Sequence, residues 1–328
     1  VLAKKIIALL LLICILSTLT IIYWAKQPIT NSDEVPINFT VTSGSGIRSA
    51  TRQIAEAGVP VSPLLLELVA RVLGSSAKTK AGSYTFKPGT TPIRLIEQLV
   101  HGEFAQESLI IIEGWTFKQM RKAVSTHPGL KHESNHWSDR ELMSKIASDV
   151  KMPEGLFFPD TYRFAKNTSD LQIYRQAFAL MQKKLNEEWR RRDGEVPYMT
   201  PYQALIMASI IEKETGKQSE RNLIASVFVN RLKRGMLLQT DPTVIYGMGE
   251  QYQGQIRKRD LKTDTPFNTY TRIGLPPTPI CLPSGAALNA ALHPAKTEAL
   301  YFVSRGDGSS HFSDNLNDHN RAVNQYQR

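Results

Sequence analysis

Hydrophobic and polar positions divide the chain into three kinds of segment. The first is a run from Ile6 to Trp24 without a charged residue, preceded by Lys4 and Lys5 and closed by Lys26. Its length approaches the ~20 residues that a helix needs to cross a bilayer. Tyr23 and Trp24 stand at its far edge, where aromatic side chains favour the interface, and the paired lysines predict an N-inside orientation. Thr18 to Trp24 offers no small-x-small cleavage site, so an uncleaved signal anchor is expected over its alternative, a cleaved signal peptide.

The second kind is a short β-rich run followed by a turn and a helical period. Phe39 to Thr42 leads through Ser43-Gly44-Ser45-Gly46 into an amphipathic stretch, Ile47 to Ala57. Ser83 to Phe86 leads through Lys87-Pro88-Gly89-Thr90 into Pro92 to His101, with Gly102 as its stop, and Leu109 to Ile112 leads through Glu113-Gly114-Trp115-Thr116 into Phe117 to Val124. An apolar helix from Pro63 to Leu73 falls between the first two units. Three imperfect copies are too few for a solenoid. The third kind is longer and helical: about Ser169 to Arg192, then a helix opened by the hydroxyl cap Thr200 and Pro201 and ending near Gly216, then Glu220 to Arg234, capped by Ser219 and stopped by Gly235.

Composition adds an ordinary globular balance, 41% hydrophobic and 21% charged, with length enough for two domains. Cys14 and Cys281 are the only cysteines and the first lies in the expected span, so no disulfide joins two ectodomain sites. The formal charge of +10 suits an acidic partner or plain solvation. The basic residues are scattered, and Arg190-Arg191-Arg192 sits among Glu187, Glu188 and Asp193, so nucleic acid is not expected as a partner. His127, His132 and His136 lack the spacing and companions of a metal set, and no nucleotide motif is present, so neither metal nor cofactor is expected.

Candidate chemistry concentrates after residue 200. The helix Leu205 to Ile211 is apolar and ends in Glu212-Lys213-Glu214. At ~100° per residue Glu214 continues the stripe Met207, Ile210, Ile211, whereas Glu212 lies roughly 200° away. Desolvation and the negative end of the helix dipole both favour a protonated Glu214, the form that donates a proton. The plainer reading of the same segment is a solvated charge cluster. Gln239, Thr240, Asp241 and Tyr246 collect amide, hydroxyl, carboxylate and phenol in the next loop, with Asp241 equally suited to capping the Pro242 helix. Asn230 and Arg231 near the end of the preceding helix suit either a ligand or the helix terminus, the cluster holding Asn268 and Tyr270 adds hydrogen-bonding groups, and the proline-dense run Gly274 to Pro279 suits the wall of a groove.

Two resemblances follow from these residues. The unit Ser83 to His101 resembles the opening of a LysM module, a small fold associated with the N-acetylglucosamine backbone of glycans. The ordered series Ala208 to Thr215, Ser219-Glu220-Arg221, Ala225 to Leu232, Leu238 to Gly249, Asn268-Thr269-Tyr270, Gly274 to Pro277 and His293-Pro294-Ala295 resembles the YceG-like, MltG-type family of endolytic murein transglycosylases. The resemblance implies an α+β architecture: a cytoplasmic tip and transmembrane anchor over 1–26, a stalk over 27–36, a LysM-like subdomain over 37–106 and a larger mixed α+β catalytic domain over 107–328. It implies cleavage of nascent peptidoglycan strands between N-acetylmuramic acid and N-acetylglucosamine, leaving 1,6-anhydro ends. The catalytic acid falls on Glu214 with Glu212 as fallback, and Asn230, Gln239, Thr240, Asp241, Tyr246, Asn268 and Tyr270 are substrate-binding candidates. The implied setting is the bacterial inner membrane with the catalytic domain outside the cytoplasm, and the implied partners are glycan strands, penicillin-binding synthases and other elongation or division proteins. A glycan-binding scaffold and a water-using muramidase are the alternatives.

Overall fold

The computed structural model describes residues 2–30, 35–75, 78–147 and 152–327. The middle of the expected stalk, 31–34, and the end of the expected helical link, 148–150, lie outside the described residues, as do the side chains of Lys4 and Cys14. The chain divides into two compact units, the first comprising residues 1–107 with 163–167 and the second 108–162 with 168–328.

In chain order the first unit holds α1 (Leu2–Ala25), β1 (Ile37–Val41), α2 (Ile47–Glu56), α3 (Pro63–Val72), β2 (Gly82–Phe86) and α4 (Pro92–His101), and ends within β3 (Gln106–Ile110). β1 and β2 pair antiparallel with Phe39 opposite Tyr84, and their rings stack at 5.4 Å. That pair joins Ile54, Leu66, Val69, Leu95, Ile96 and Leu99 in one buried cluster. Thr91 caps α4 by accepting from the Arg94 amide, and Gly102, at φ 71°, closes it in the left-handed conformation that glycine adopts without strain. Ile29 donates its amide to Thr90, and Thr30 accepts from Gly89, so the chain before residue 31 is bonded to the turn after β2. α1 is one unbroken helix with side chains such as Leu11, Ile15 and Leu19 exposed. Among the described residues, no helix is long and apolar enough to cross a membrane.

The second unit continues with α5 (Phe117–Thr126), β4 (Leu130–Lys131), α6 (Asp139–Ile146), the first residues of β5 (Thr161–Ala165), β6 (Thr168–Ser169), α7 (Asp170–Arg190), α8 (Pro201–Glu214), α9 (Arg221–Lys233), α10 (Asp241–Met248), α11 (Lys258–Lys262), α12 (Gly285–Leu292), β7 (Tyr301–Ser304), β8 (Ser310–Ser313) and α13 (Leu316–Tyr326). β3 pairs with β5, β4 runs parallel to β6, and β7 with β8 forms an antiparallel hairpin. α8 is the spine of this unit. Ala204 to Ile211 are all buried, and α7, α9, α10 and α12 pack around them. In the proline-dense run Pro276, Thr278 and Pro279 are buried and Pro277 is exposed, and the chain just beyond it is internal: Ile280 donates its amide to Ser209 Oγ of α8 at 3.0 Å, and Leu282 pairs with Trp115. Gly155, at φ +77°, lies where a Cβ would come within 2.4 Å of Pro279, so this approach needs glycine.

Candidate active site

Because Ala204 to Ile211 are buried on every side, the apolar stripe does not select between the two glutamates, and both residues are half-buried. The Glu212 side chain is 6% exposed and is held in structural bonds. Its Oε2 accepts from the Ser284 amide at 2.9 Å and from the Ser284 hydroxyl, and its Oε1 lies 3.6 Å from Arg221. Ser284 in turn caps α12 by accepting from the Ala287 amide. Glu212 therefore fixes one helix start and neutralises one guanidinium.

Glu214, the last residue of α8, has different surroundings. Its carboxylate accepts one hydrogen bond, from the Thr240 hydroxyl, and lines a cleft of about 570 Å³ together with Arg231, Gln239, Asp241, Tyr270, Tyr301 and His319. Burial pushes its pKa up from the ordinary carboxylate range; the Thr240 bond opposes this, Asp241 adds to it and Arg231 opposes it. The result is a carboxyl inclined to hold a proton, beside open space.

The loop that brings Thr240 to Glu214 is built by Thr269. Gln239 donates its amide to the Thr269 carbonyl at 3.1 Å, Thr240 donates its amide to Thr269 Oγ1 at 3.1 Å, and the Thr243 and Thr269 hydroxyls lie 2.9 Å apart. Gln239 is one of the few non-glycine residues at positive φ, 51°, which turns the chain into the start of α10. Thr240 occupies the cap position of α10 but makes no side-chain cap bond, since its hydroxyl serves Glu214. Asp241 is the first helical residue, not the cap; its Oδ1 accepts from the Tyr270 hydroxyl at 2.5 Å.

Gln239, Thr240, Asp241 and Tyr270 thus gather around Glu214. Asn268 stands behind them, 1% exposed, its amide donating to the carbonyls of Leu261 and Thr263 and its Oδ1 accepting from the Tyr270 amide. Two candidates have other partners. Asn230 donates to the Thr297 and Ala299 carbonyls, and the Tyr246 hydroxyl donates to Glu154 Oε2 at 3.1 Å. Glu154 itself, 6% exposed, also accepts from the Phe117 amide at 3.0 Å, and burial pushes its pKa up to about 7.

The cleft's basic wall is Arg231, which the sequence offers beside Asn230 as either a ligand contact or a helix-end partner. Arg231 is 8% exposed and donates through Nε to Leu300 and through Nη1 to Leu238, while its guanidinium lies 5.2 Å from the Tyr301 ring centre. The Tyr301 ring stacks on His319 at 5.1 Å. The only signal for Arg231 was its place beside Asn230 on a helix end, and none pointed to Tyr301 or His319.

A family model described as YceG-like matches residues 39–325. The chain belongs to the YceG-like family. Among YceG-like relatives, an endolytic murein transglycosylase of Bacillus subtilis is 29% identical over 317 residues, covering 92% of this chain and 87% of its own. One from Streptococcus pneumoniae strain D39 is 27% identical and covers 90% of this chain, which spans 59% of that relative's length. The crystal structure of a YceG-like protein from Listeria monocytogenes superposes with a TM-score of 0.54 at 27% identity, covering 88% of this chain and 99% of that one. The mixed α+β architecture is accordingly that of the YceG-like fold.

Proposed function

We propose that the protein is an endolytic murein transglycosylase, with Glu214 as its catalytic acid. The observation that carries this reading is the Glu214 carboxyl itself, held by Thr240 and kept inclined to protonation at the edge of an open cleft. Family membership and the names of the relatives support the same reaction class.

A glycosidase of the usual kind needs one carboxyl to protonate the leaving oxygen and a second to activate water or attack the sugar. In the lytic reaction the muramyl 6-hydroxyl replaces that second reactant. Glu214 donates its proton to the bridging oxygen as the C1–O bond breaks; the resulting carboxylate then takes the proton of the 6-hydroxyl as its oxygen bonds to C1, which closes the anhydro ring and restores the acid. Holding that hydroxyl in line converts a bimolecular step to an intramolecular one. Thr240 fixes the carboxylate, and Gln239, Asp241 and Tyr270 are placed to hold the sugars. Asn268 supports them through the Tyr270 backbone. Because Asp241 is a second carboxylate in the same cleft, hydrolysis by water is the competing chemistry.

Incubating the full chain with purified sacculi and analysing fragments by mass spectrometry separates the readings. Anhydro-ended fragments are expected from wild type and from Glu212→Gln, with Glu214→Gln lowering turnover by about 10²–10⁴, the usual contribution of a general acid. Reducing ends would instead establish a muramidase, no cleavage by folded wild type would leave a binding scaffold, and normal cleavage by Glu214→Gln would remove this residue from the chemistry.

We also infer that α1 anchors the protein in the bacterial cell membrane, with the N-terminus inside and the chain after α1 outside. At about 1.5 Å per residue its 24 residues reach ~36 Å, against a hydrocarbon core of ~30 Å. The two-stranded sheet of the first unit, with Asn38, Thr40, Gln53, Ser83 and Thr85 lining a cleft of about 720 Å³, supports reading 37–106 as a LysM-like glycan platform. Penicillin-binding synthases are the partners such an enzyme would meet.

A further inference from the structure

In α3 the inward positions Leu66, Val69 and Ala70 belong to the core of the first unit, as expected of a surface helix. Most of the outward positions are not polar, Arg71 being the exception with its side chain 60% exposed. Leu64 is 72% exposed, Val72 74%, Leu68 39% and Leu65 37%, and Leu73, just past the helix, is 45% exposed. The charged residues of this helix, Glu67 and Arg71, are bonded to each other at 2.6 Å.

The position of this face beside α1 indicates what covers it. The last turn of α1 is built into the first unit: Ala25 is 3% exposed within the core cluster, and Ile21 and Trp24 pack against it. α1 and α3 share an apolar groove of about 200 Å³, walled by Ile21, Ile22 and Ala25 on one side and Leu68, Val69, Val72 and Leu73 on the other. The apolar surface of the anchor thus continues onto α3, with Thr18 as a polar member of the groove wall. A contiguous exposed apolar surface marks an interaction site, and a helix beside the point where a span leaves the bilayer is placed for the headgroup and acyl boundary.

We propose that α3 is an interfacial helix, lying in the outer surface of the same bilayer that α1 crosses, with Leu64, Leu65, Leu68 and Val72 immersed among lipid chains. The proposal rests on the anchor reading above. It makes the first unit a module seated on the membrane, because the end of α1 is rigidly joined to the core that carries α3.

Spin labels test this in the full chain reconstituted into phosphatidylglycerol–phosphatidylethanolamine liposomes, in a background with Cys14→Ser and Cys281→Ala. Single cysteines are placed at Leu64, Val72, Ile13 of α1 and Thr40 of β1, and collision with oxygen is compared with collision with a polar nickel chelate. The Leu64 and Val72 labels are expected about 5–10 Å below the phosphate plane, Ile13 deeper, and Thr40 in water. Leu68→Glu is expected to return the Leu64 label to water-like exposure. Water-like values at 64 and 72 with Ile13 still in lipid would overturn the proposal and leave the anchor intact. An Ile13 label in water would overturn both. Labels at 64 and 72 shielded from both agents and dipolar-coupled would assign this face to a second copy of the chain instead.

Discussion

Glu212 and Glu214 are two residues apart on one helix, and their partners assign them different work. Glu214 has one hydroxyl donor and an open side; Glu212 has a backbone amide, a hydroxyl and a guanidinium. The Thr240 hydroxyl bond favours the charged form of Glu214, so Thr240→Val, which keeps the shape and deletes the donor, raises the Glu214 pKa further. In its proposed role the acid must be protonated to act, and activity is lost as pH rises through its folded pKa. The alkaline limb of kcat/KM is therefore expected at higher pH in Thr240→Val than in wild type, and a limb displaced to lower pH would refute the assignment. Glu154 makes the corresponding statement about stability. An unfolded glutamate titrates near 4.5 and the buried one near 7, so between those values the native state holds the extra proton. The stability this gives is complete below about pH 4.5 and is lost as pH rises through 7, on the order of 3 kcal/mol at 1.36 kcal/mol per unit. Urea unfolding across this range is expected to show that decline in wild type and not in Glu154→Gln.

At the scale of elements, the helix starts most readable in sequence carry their own signals. Thr91 with Pro92, Thr116 with Gln119 and Thr200 with Pro201 each place a hydroxyl cap where the structure has one. The amphipathic patterns of α2, α4 and α5 also identify their inner faces, because each has a solvent side. α8 has none, since eight consecutive residues are buried, and so its pattern gave the helix and its ends without the direction of either glutamate. Burial of the run Thr278 to Leu282 was likewise hidden: prolines announce an extended chain, whereas its hydrogen bond to Ser209 is a tertiary event. The hairpin β7–β8 has strands of four residues, too short for a period to register, and yet it carries Tyr301 into the cleft wall. The Glu212–Ser284 contact that joins α8 to α12 joins residues 72 apart in sequence and yields its own test. Ser284→Ala is expected to cost about 1 kcal/mol as a lost cap, and Glu212→Ala roughly 3–5 kcal/mol because it leaves Arg221 buried without its carboxylate. Glu214→Gln should leave the melting temperature nearly unchanged. Thermal melts and turnover measured on the same three variants check that separation of stability from chemistry.

The whole molecule contains two hydrophobic cores. One gathers Phe39, Ile54, Leu66, Tyr84, Leu95, Ile96 and Leu99 in the first unit; the other surrounds α8 in the second. The chain passes from the first unit to the second at residue 107, returns for 163–167 and leaves again, so the division is spatial and not a single cut in the sequence. A segment with its own core and its own backbone pairing unfolds as its own cooperative block, at a free energy set by its own contacts. Two unfolding transitions are therefore expected. Leu95→Ala, at a position with no exposure, removes buried methyl groups and should lower the first unit's transition by about 2–5 kcal/mol, leaving the other in place. Glu154→Gln should do the reverse, altering the pH dependence of the second unit's transition alone, since its partners Phe117 and Tyr246 belong to that unit. Denaturation followed at several pH values by calorimetry and by a fluorophore in each unit distinguishes the two, and one transition displaced equally by both substitutions would mean that the two cores unfold as one.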